Sequence, residues 1–540
     1  MQESGKQNFL KGAAILAAAS IFVKIVGAIY KIPLFNVLND DAARGTFQVT
    51  YNVYTLILTI STAGIPAALS RLVSTAQAGG KTSLVKRYFS VAMPAFLLVG
   101  IAAMAVMLVF ADAFAGFMND SMAAPGIRVL APAVLFVCII SVYRGYAQGF
   151  ENMIPTAMSQ VVEVVCKAAF GVAAAIWLKN MGYALHLVSA GAITGVTVGL
   201  GLSVPLLVWY KRRLDRNLTA AVDAAPAESW PGVLGTIMKV SIPITLSASF
   251  MSIMTVIDTS VVLGRLQSGL QMLTEQAARA EFGIYTLGLT VYNLPPAIVV
   301  PVSVSIIPAI AAAVAKGRKD EAGGIMQSSV KLVNLLAMPA GAGIMVLSSP
   351  ILAALYDDHR QITSTVLLIL GAASFFVCLQ YVTTAILQAN GHERVALLTI
   401  PVGAALKIIL GYILVGNPAI GIIGTPIGTL MCFLVISALN LTFISVRIKE
   451  KLKFFSVFVK PLLCTVAMAG VAYSTYDLAS WLGSGLIGTG RFAIIVYLGA
   501  AIVAAAAVYV ALIIATRTVT KEDMMLVPKG EKLANILRIR

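Results

Sequence analysis

The sequence predicts an all-α integral membrane protein with fourteen transmembrane helices, for three reasons. Hydrophobic residues make up 59% of the 540-residue chain, charged residues make up only 11%, and the mean hydropathy is +0.91. A soluble domain carries about 25% charged residues, so this chain has too little charge to coat several water-facing domains. Its apolar runs are also much longer than the roughly ten residues of a membrane β-strand, which excludes a β-barrel.

The apolar runs follow one another along the chain, separated by charged or turn-rich breaks, and each is close to the roughly 20 residues that a spanning helix needs. The predicted spans are 11–36, 46–74, 89–111, 124–147, 155–178, 184–210, 240–264, 282–311, 328–356, 362–388, 395–416, 420–446, 457–481 and 490–515. We expect interruptions in the second, eighth and ninth spans because they contain internal Gly or Pro, which are tolerated where a helix lines a cavity or packs on neighbours. These residues are Gly64, Pro66, Pro295, Pro296, Pro301, Pro308 and Pro339.

Basic residues form short clusters between the apolar runs, which is typical of cytoplasmic loops and not of a nucleic-acid surface. With a cytoplasmic N-terminus, 27 of the 39 Lys and Arg residues fall in inside segments and 7 in outside segments. The positive-inside rule therefore predicts a multi-pass plasma-membrane protein with both termini in the cytoplasm. We expect no nucleic-acid partner, and we expect a monomer.

An internal repeat predicts how the spans are organised. Gln148 and Gln388, Lys167 and Lys407, and Gly171 and Gly411 are each 240 residues apart. Pro66 also matches Pro308, and Met93-Pro94-Ala95 matches Met338-Pro339-Ala340, at slightly larger separations. The repeat predicts two six-helix lobes, 1–210 and 240–446, related by a pseudo-two-fold axis along the membrane normal. A cytoplasmic linker at 211–239, two extra spans within 447–515 and a basic cytoplasmic tail at 516–540 complete the predicted organisation.

Charges inside the predicted spans indicate an anionic substrate. Five basic residues but only two acidic residues lie there, and a basic cavity selects anions. The candidate substrate-binding residues are Lys24, Lys31, Asn52, Lys167, Lys407 and Arg71. Lys24 and Lys31 are seven residues apart and share a helix face. The alternatives are that Lys31 reaches the membrane interface, and that Arg71 and Arg144 anchor span ends to lipid phosphates.

Three further charges are candidates for pairing or for coupling to an ion. Glu163 and Lys167 have the i,i+4 spacing of a favourable helix pair, so they either neutralise each other or leave Lys167 for substrate. Lys407 has Gly403 at the position that corresponds to Glu163, which makes it the better anion-binding candidate of the two lysines. Asp258, with Arg265 seven residues later, is expected to pair with a basic residue or to bind a coupling cation.

No motif indicates catalysis or a bound cofactor. The sequence contains no GxxxxGK[ST], GxSxG, HExxH or CxxC pattern, and its three histidines are far apart. The five cysteines all lie within apolar runs and are interpreted as small buried residues. We therefore expect neither an enzyme nor a metal or cofactor site.

Two stretches resemble a known family. YRGYAQGFENMIPTAMSQVVEVVCK, at 143–167, resembles the span 4–5 signature of the stage V sporulation protein B group, and the opening NFLKGAAILAAASIFVKIVGAIYKIPL resembles it too. That group belongs to the multidrug/oligosaccharidyl-lipid/polysaccharide exporter superfamily and is close to the MurJ-type lipid II flippases. The resemblance covers essentially the whole chain. It implies alternating-access export of an undecaprenyl-diphosphate-linked saccharide, above all lipid II, for the synthesis of wall peptidoglycan.

The family's cationic cavity transfers to this chain only in part. Lys24 matches the first of two basic residues in span 1, whereas Tyr30 occupies the second position and Lys31 follows it. The family's basic residue in span 2 has no counterpart, because Ile57 and Leu58 are apolar. The sodium ligands of some members are missing from spans 11 and 12 until Asn440, so no metal site is carried over.

Two other functions remain open. A cation-coupled multidrug exporter of the same fold predicts twelve spans and an acid-rich cavity. A non-transporting membrane scaffold for wall or spore assembly predicts that intramembrane lysines have partners.

Overall fold

The computed structural model of the protein describes residues 2–62, 64–216, 229–268, 272–447, 455–485 and 487–519. These residues are almost entirely helical and contain no β-strand. The basic tail beyond 519, residues 217–228 of the predicted linker and the segment 448–454 lie outside the described residues.

The helices of the described residues are numbered in chain order. They are α1 (Gln2–Ile29), α2 (Lys31–Leu38), α3 (Asp41–Thr62), α4 (Gly64–Ala78), α5 (Thr82–Val109), α6 (Ala111–Phe117), α7 (Ala124–Gly149), α8 (Ile154–Asn180), α9 (Leu185–Arg216), α10 (Trp230–Ser268), α11 (Glu275–Tyr292), α12 (Leu294–Ala315), α13 (Lys319–Val346), α14 (Ser348–Tyr356), α15 (Gln361–Ala389), α16 (Glu393–Val415), α17 (Gly424–Arg447), α18 (Lys460–Gly483) and α19 (Arg491–Ala515).

The predicted all-α integral membrane fold is confirmed. Twelve helical segments of the described residues are long and apolar enough to cross a membrane, and the bent pair Glu275–Tyr292 and Leu294–Ser303 could form a thirteenth. The seventh predicted span falls in α10, whose apolar segment Trp230–Leu246 is shorter. The protein is therefore a multi-pass membrane protein, and the count of fourteen spans stays a prediction.

One of the three expected interruptions is confirmed, because α11 and α12 meet at a bend of 46° just before Pro295 and Pro296. The expected interruption near Gly64 and Pro66 stays a prediction, since position 63, between α3 and α4, lies outside the described residues. The expected break at Pro339 is wrong, because α13 continues past it to Val346. A proline removes only one backbone hydrogen bond, and packing against neighbouring helices can offset that loss.

Packing divides the chain into two compact units, one of 1–267 with 272–283 and one of 268–271 with 284–540. In the first unit, side chains of α4, α5, α7 and α10 form a buried apolar cluster that includes Leu69, Val91, Tyr146 and Ile237. In the second, α18 and α19 pack on each other and α18 packs on α13. α10 therefore groups with the helices before it, and the lobe limits at 210 and 240 stay a prediction.

Backbone geometry repeats between the two halves of the chain. α5 and α13 both contain 28 residues, and each follows a glycine with positive φ, Gly80 (70°) and Gly317 (69°), 237 positions apart. Glu151 and Gly391, 240 positions apart, also both have positive φ, so the repeat around Gln148 and Gln388 keeps its register.

The match between Met93-Pro94-Ala95 and Met338-Pro339-Ala340 does not follow this register. Pro94 is the thirteenth residue of α5, whereas Pro339 is the twenty-first residue of α13. That match is wrong, because short identities arise by chance between helices built mostly from small apolar residues. The match of Pro66 with Pro308 fails in the same way, since Pro66 lies twelve residues before the end of α4 at Ala78, whereas Pro308 lies seven residues before the end of α12 at Ala315.

Candidate functional site

The packing of α1 and α2 against α8 arranges the charges of the first unit in two layers. Lys24 and Glu163 line one cavity, which we call the charged cavity. Lys31 on α2 and Lys167 on α8 both lie close to the ring of Tyr51. We call this second group the tyrosine cluster.

The charged cavity has a volume of about 390 Å³ and lies within the first unit. It is lined by Ser20, Val23, Lys24, Leu58, Pro66, Val137, Ile140, Ser141, Arg144, Gln148, Thr156, Gln160, Glu163 and Leu200. Lys24 is exposed to this space and forms no hydrogen bond or ion pair with any residue that the structure describes. The cavity is therefore lined by two basic side chains, Lys24 and Arg144, and by one acidic side chain, Glu163.

An ion pair forms one side of the charged cavity. Arg144 Nη2 lies 3.2 Å from Glu163 Oε2, and Arg144 Nε donates a hydrogen bond of 2.9 Å to Ser159 Oγ. These contacts argue against the alternative in which Arg144 anchors its span end to lipid phosphates. Glu163 pairs with Arg144, not with Lys167 as the i,i+4 spacing allowed.

The tyrosine cluster holds two lysines against one aromatic ring. Lys167 Nζ donates to the Tyr51 hydroxyl at 3.0 Å and lies 4.6 Å and 4.8 Å from the ring centroids of Tyr30 and Tyr51. Lys31 Nζ lies 5.3 Å from the Tyr51 centroid. Cations at these distances are attracted to the negative face of an aromatic ring. The attraction offsets part of the repulsion between two nearby ammonium groups.

A chain of hydrogen bonds fixes Lys31 to α3 and α10. Lys31 Nζ donates to Gln48 Oε1 at 2.9 Å, and Gln48 Nε2 donates to Asn52 Oδ1 at 2.7 Å. Asn52 Nδ2 then donates to Thr259 Oγ1 on α10 at 2.9 Å. Lys31 is thus held within the first unit, which argues against the alternative that it reaches for the interface. Of the six candidate substrate residues, Lys31, Asn52 and Lys167 are gathered here.

The remaining predicted residues do not join these two groups. Arg71 is exposed on α4 and forms no ion pair within the described part of the chain. Asp258 is buried and Arg265 half-buried on α10. Lys407 belongs to the second unit, where it is half-buried on α16. No cluster of three or more His, Cys, Asp or Glu residues able to hold a metal occurs among the described residues.

Sequence reasoning missed Gln48 and Tyr51, although a signal was present. Gln48 and Asn52 have i,i+4 spacing, and Tyr51 lies three residues after Gln48. These residues therefore form a polar and aromatic stripe on one face of an otherwise apolar helix. Such a stripe in a membrane-spanning segment indicates a buried polar network.

Comparison with known proteins places this architecture in a family. Residues 9–314 match the family described as polysaccharide biosynthesis protein. The lipid II flippase MurJ of Bacillus subtilis is 25% identical over 75% of this chain and 76% of its own length. The stage V sporulation protein B of the same organism is 24% identical over 97% of this chain and 98% of its own.

Solved structures agree on the fold. The inward closed lipid II flippase MurJ superimposes with a TM-score of 0.66 and 15% identity, over 92% of this chain and 98% of that one. An inward-facing multidrug resistance transporter of the MATE family and MOP superfamily superimposes with a TM-score of 0.62 and 15% identity. That match covers 80% of this chain and 98% of the transporter. At such low identity these likenesses show the fold alone. The family match covers more than half of the chain, and the chain belongs to the polysaccharide biosynthesis protein family.

Proposed function

We propose that this protein is a flippase that moves an undecaprenyl-diphosphate-linked saccharide, most specifically lipid II, across the plasma membrane. Two kinds of observation support the proposal. The relatives that match most of the chain include a lipid II flippase. The first unit also contains unpaired or clustered basic residues suited to a diphosphate.

The single observation that carries the proposal is Lys24 in the charged cavity. A charged side chain at depth in a membrane protein costs several kcal/mol unless it faces water or a partner. Lys24 lines a cavity of about 390 Å³ and has no partner among the described residues. An anionic headgroup is the ligand that such a site would bind most strongly.

The tyrosine cluster would provide a second set of cationic contacts. Lys31 and Lys167 are pre-positioned on Tyr51, so binding would cost little side-chain entropy. Asn52 would orient Lys31 through Gln48. The diphosphate would be held by Lys24 and this cluster during alternating access, while the polyprenyl tail would stay in lipid or beside α18 and α19. Lys407 and Arg71 remain further candidates for contact with the substrate.

Rescue of a bacterial strain depleted of its lipid II flippase tests the proposal. We expect the wild-type protein to restore growth, Lys24→Ala to fail at normal abundance, and Lys24→Arg to retain much of the rescue. Lys81→Ala, at an exposed loop position, is the matched control and should behave as wild type. Full rescue by Lys24→Ala would remove Lys24 from the site. Failure of the wild type, with a change only in drug susceptibility, would favour the multidrug exporter.

A further inference from the structure

We propose that Arg144 and Gln160 form, with Lys24, a subsite for the glycosyl-diphosphate headgroup, in which Glu163 occupies the oxyanion position of Arg144 until substrate displaces it. The proposal rests on the proposed function and names the residues that would distinguish a sugar diphosphate from other anions. All four side chains line the charged cavity.

Arg144 has N–H donors that the described residues do not use and that a ligand could accept. A guanidinium carries five N–H donors in a planar fork, and bonds of Arg144 to the described residues use Nε and Nη2. Its side chain is 16% exposed, and it borders the cavity. A bidentate oxyanion such as a phosphate is the ligand that this fork matches best.

Glu163 is a weakly held occupant of that position. The Arg144–Glu163 contact is a single one of 3.2 Å, whereas charge-assisted N–H···O bonds are typically about 2.7–2.9 Å. A phosphate oxygen placed at the normal distance would therefore bind Arg144 more strongly than Glu163 does. Glu163 also has a second possible partner, because Lys167 lies four residues later on α8, at the favourable i,i+4 spacing. Displacement by substrate would thus exchange one ion pair for another.

Gln160 indicates that the ligand carries hydroxyl groups as well as charge. Its Oε1 atom is buried and has no hydrogen-bond partner among the described residues. A buried acceptor left unpaired is costly, and a sugar hydroxyl or amide N–H would satisfy it. A cationic pair next to an unpaired amide oxygen fits a saccharide joined to a diphosphate better than a lone inorganic anion.

Binding of defined lipids to the purified full-length protein in nanodiscs tests this subsite without relying on transport. The probes are lipid II, undecaprenyl diphosphate and, as the uncharged control, undecaprenol. We expect Arg144→Ala to weaken binding of both charged lipids roughly tenfold. Glu163→Gln should tighten it about threefold, because the competing carboxylate is gone. Gln160→Leu should weaken lipid II but leave undecaprenyl diphosphate unchanged, and undecaprenol should respond to none of the variants.

Equal affinity of Arg144→Ala and wild type for undecaprenyl diphosphate, or weaker binding by Glu163→Gln, would overturn the proposal. Should Arg144→Ala unfold, Arg144→Lys and Glu163→Gln decide the matter, since both retain the size of the side chain. The lysine, which lacks the planar fork, should still bind more weakly than arginine. The expected order of affinities in a protein that fails to rescue growth would support the subsite while rejecting the flippase. Growth rescue by a protein whose variants bind all lipids equally would support the flippase while rejecting the subsite.

Discussion

The turn between α6 and α7 and the turn between α14 and α15 each contain a residue with positive φ, but they differ in their ion pairs. Asn119 (φ 54°) and Asp357 (φ 57°) each precede a buried aspartate. Asp120 is bound by Arg279 at 3.2 Å, on a distant part of the chain. Asp358 is bound by Arg360 within its own turn. The two turns thus share a positive φ and a buried aspartate, while the contacts of their charged side chains differ.

The segments that precede α3 and α11 differ more strongly in charge. α3 begins at Asp41 and α11 at Glu275, 234 positions later. The same shift aligns Lys24 with Asp258 and Lys31 with Arg265. Under this shift Lys24 corresponds to an acid, whereas Lys31 corresponds to another base. Asp258 and Arg265 both lie on α10, which packs within the first unit.

The two matched lysines also have different neighbours. A Cβ added at Gly195 of α9 would lie 2.5 Å from the Lys167 carbonyl oxygen, and one at Gly428 of α17 would lie 3.3 Å from the Lys407 carbonyl oxygen. In both halves a glycine on the following helix faces the lysine's backbone. The approach is closer in the first half, so the two glycines should differ in their tolerance of a side chain.

The largest expected effect is the loss of stability when a side chain is added at Gly195, where α9 lies close to α8. Gly195→Val should prevent normal accumulation or lower the thermal unfolding midpoint of the purified protein sharply, because a Cβ would overlap backbone atoms that cannot move independently. Overpacking typically costs about 1–3 kcal/mol, and more against backbone. Gly428→Val, at the looser counterpart, should lower the midpoint less. Equal sensitivity of the two positions would contradict the difference in helix approach.

The next largest effect concerns the charge difference at Lys24. Lys24→Ala should reduce transport roughly ten- to hundredfold, the cost of one charge-assisted contact. Lys24→Asp introduces the residue type of its counterpart, Asp258, and should reduce transport further because it repels a diphosphate. Growth rescue at matched protein abundance measures both. Rescue by Lys24→Asp equal to that by Lys24→Ala would argue that no anion reaches this position.

A smaller effect distinguishes the two repeat lysines. Lys167 lies beside Lys31 in the tyrosine cluster, so we expect Lys167→Met to impair rescue more than Lys407→Met does. The sequence alone ranked them the other way, because Lys407 lacks a nearby acid on its helix. Rescue measured across a range of expression levels would rank them. A stronger defect in Lys407→Met would support the ranking predicted from the sequence and would indicate that the main anion contact lies in the second unit.

The smallest effect is the pH response of the two turns. Burial opposes the ionisation of Asp358, but hydrogen bonds and charge from Arg360 outweigh it and lower its pKa. Its contribution to stability is therefore present above the unfolded pKa of about 3.9 and is lost as pH falls through the lower folded pKa. We expect the gap in unfolding midpoint between wild type and Asp358→Asn to shrink as the pH is lowered from about 5 to about 3.

Asp120 should respond in the opposite direction. Burial raises its pKa, and the hydrogen bond from Thr46 and the charge of Arg279 only partly oppose this. The folded state then binds the proton more tightly than the unfolded chain, so acidification favours the folded wild type. The unfolding midpoint of wild type should rise relative to that of Asp120→Asn as pH falls through the raised pKa. If the difference in unfolding midpoint from wild type changed with pH in the same way for Asp358→Asn and Asp120→Asn, the two turns would be electrostatically equivalent.

Much of the architecture could be predicted because it depends on composition and local pattern. Long apolar runs must become helices in a bilayer, since no other partner satisfies their backbone groups. The bend before Pro295 follows from local backbone chemistry, since proline lacks a backbone N–H. The break expected at Pro339 failed, because neighbouring helices decide whether a proline interrupts a membrane helix.

The amino-acid sequence by itself determined that this is a helical membrane protein with a repeated backbone and an excess of intramembrane bases, because hydropathy and charge are properties of the residues. Only the tertiary structure decided which charges meet. The spacing of Glu163 and Lys167 allowed a pair, yet Glu163 pairs with Arg144 from α7 and Lys167 binds Tyr51 from α3. A helix determines which residues share its face, whereas the partners of that face come from helices distant in the sequence.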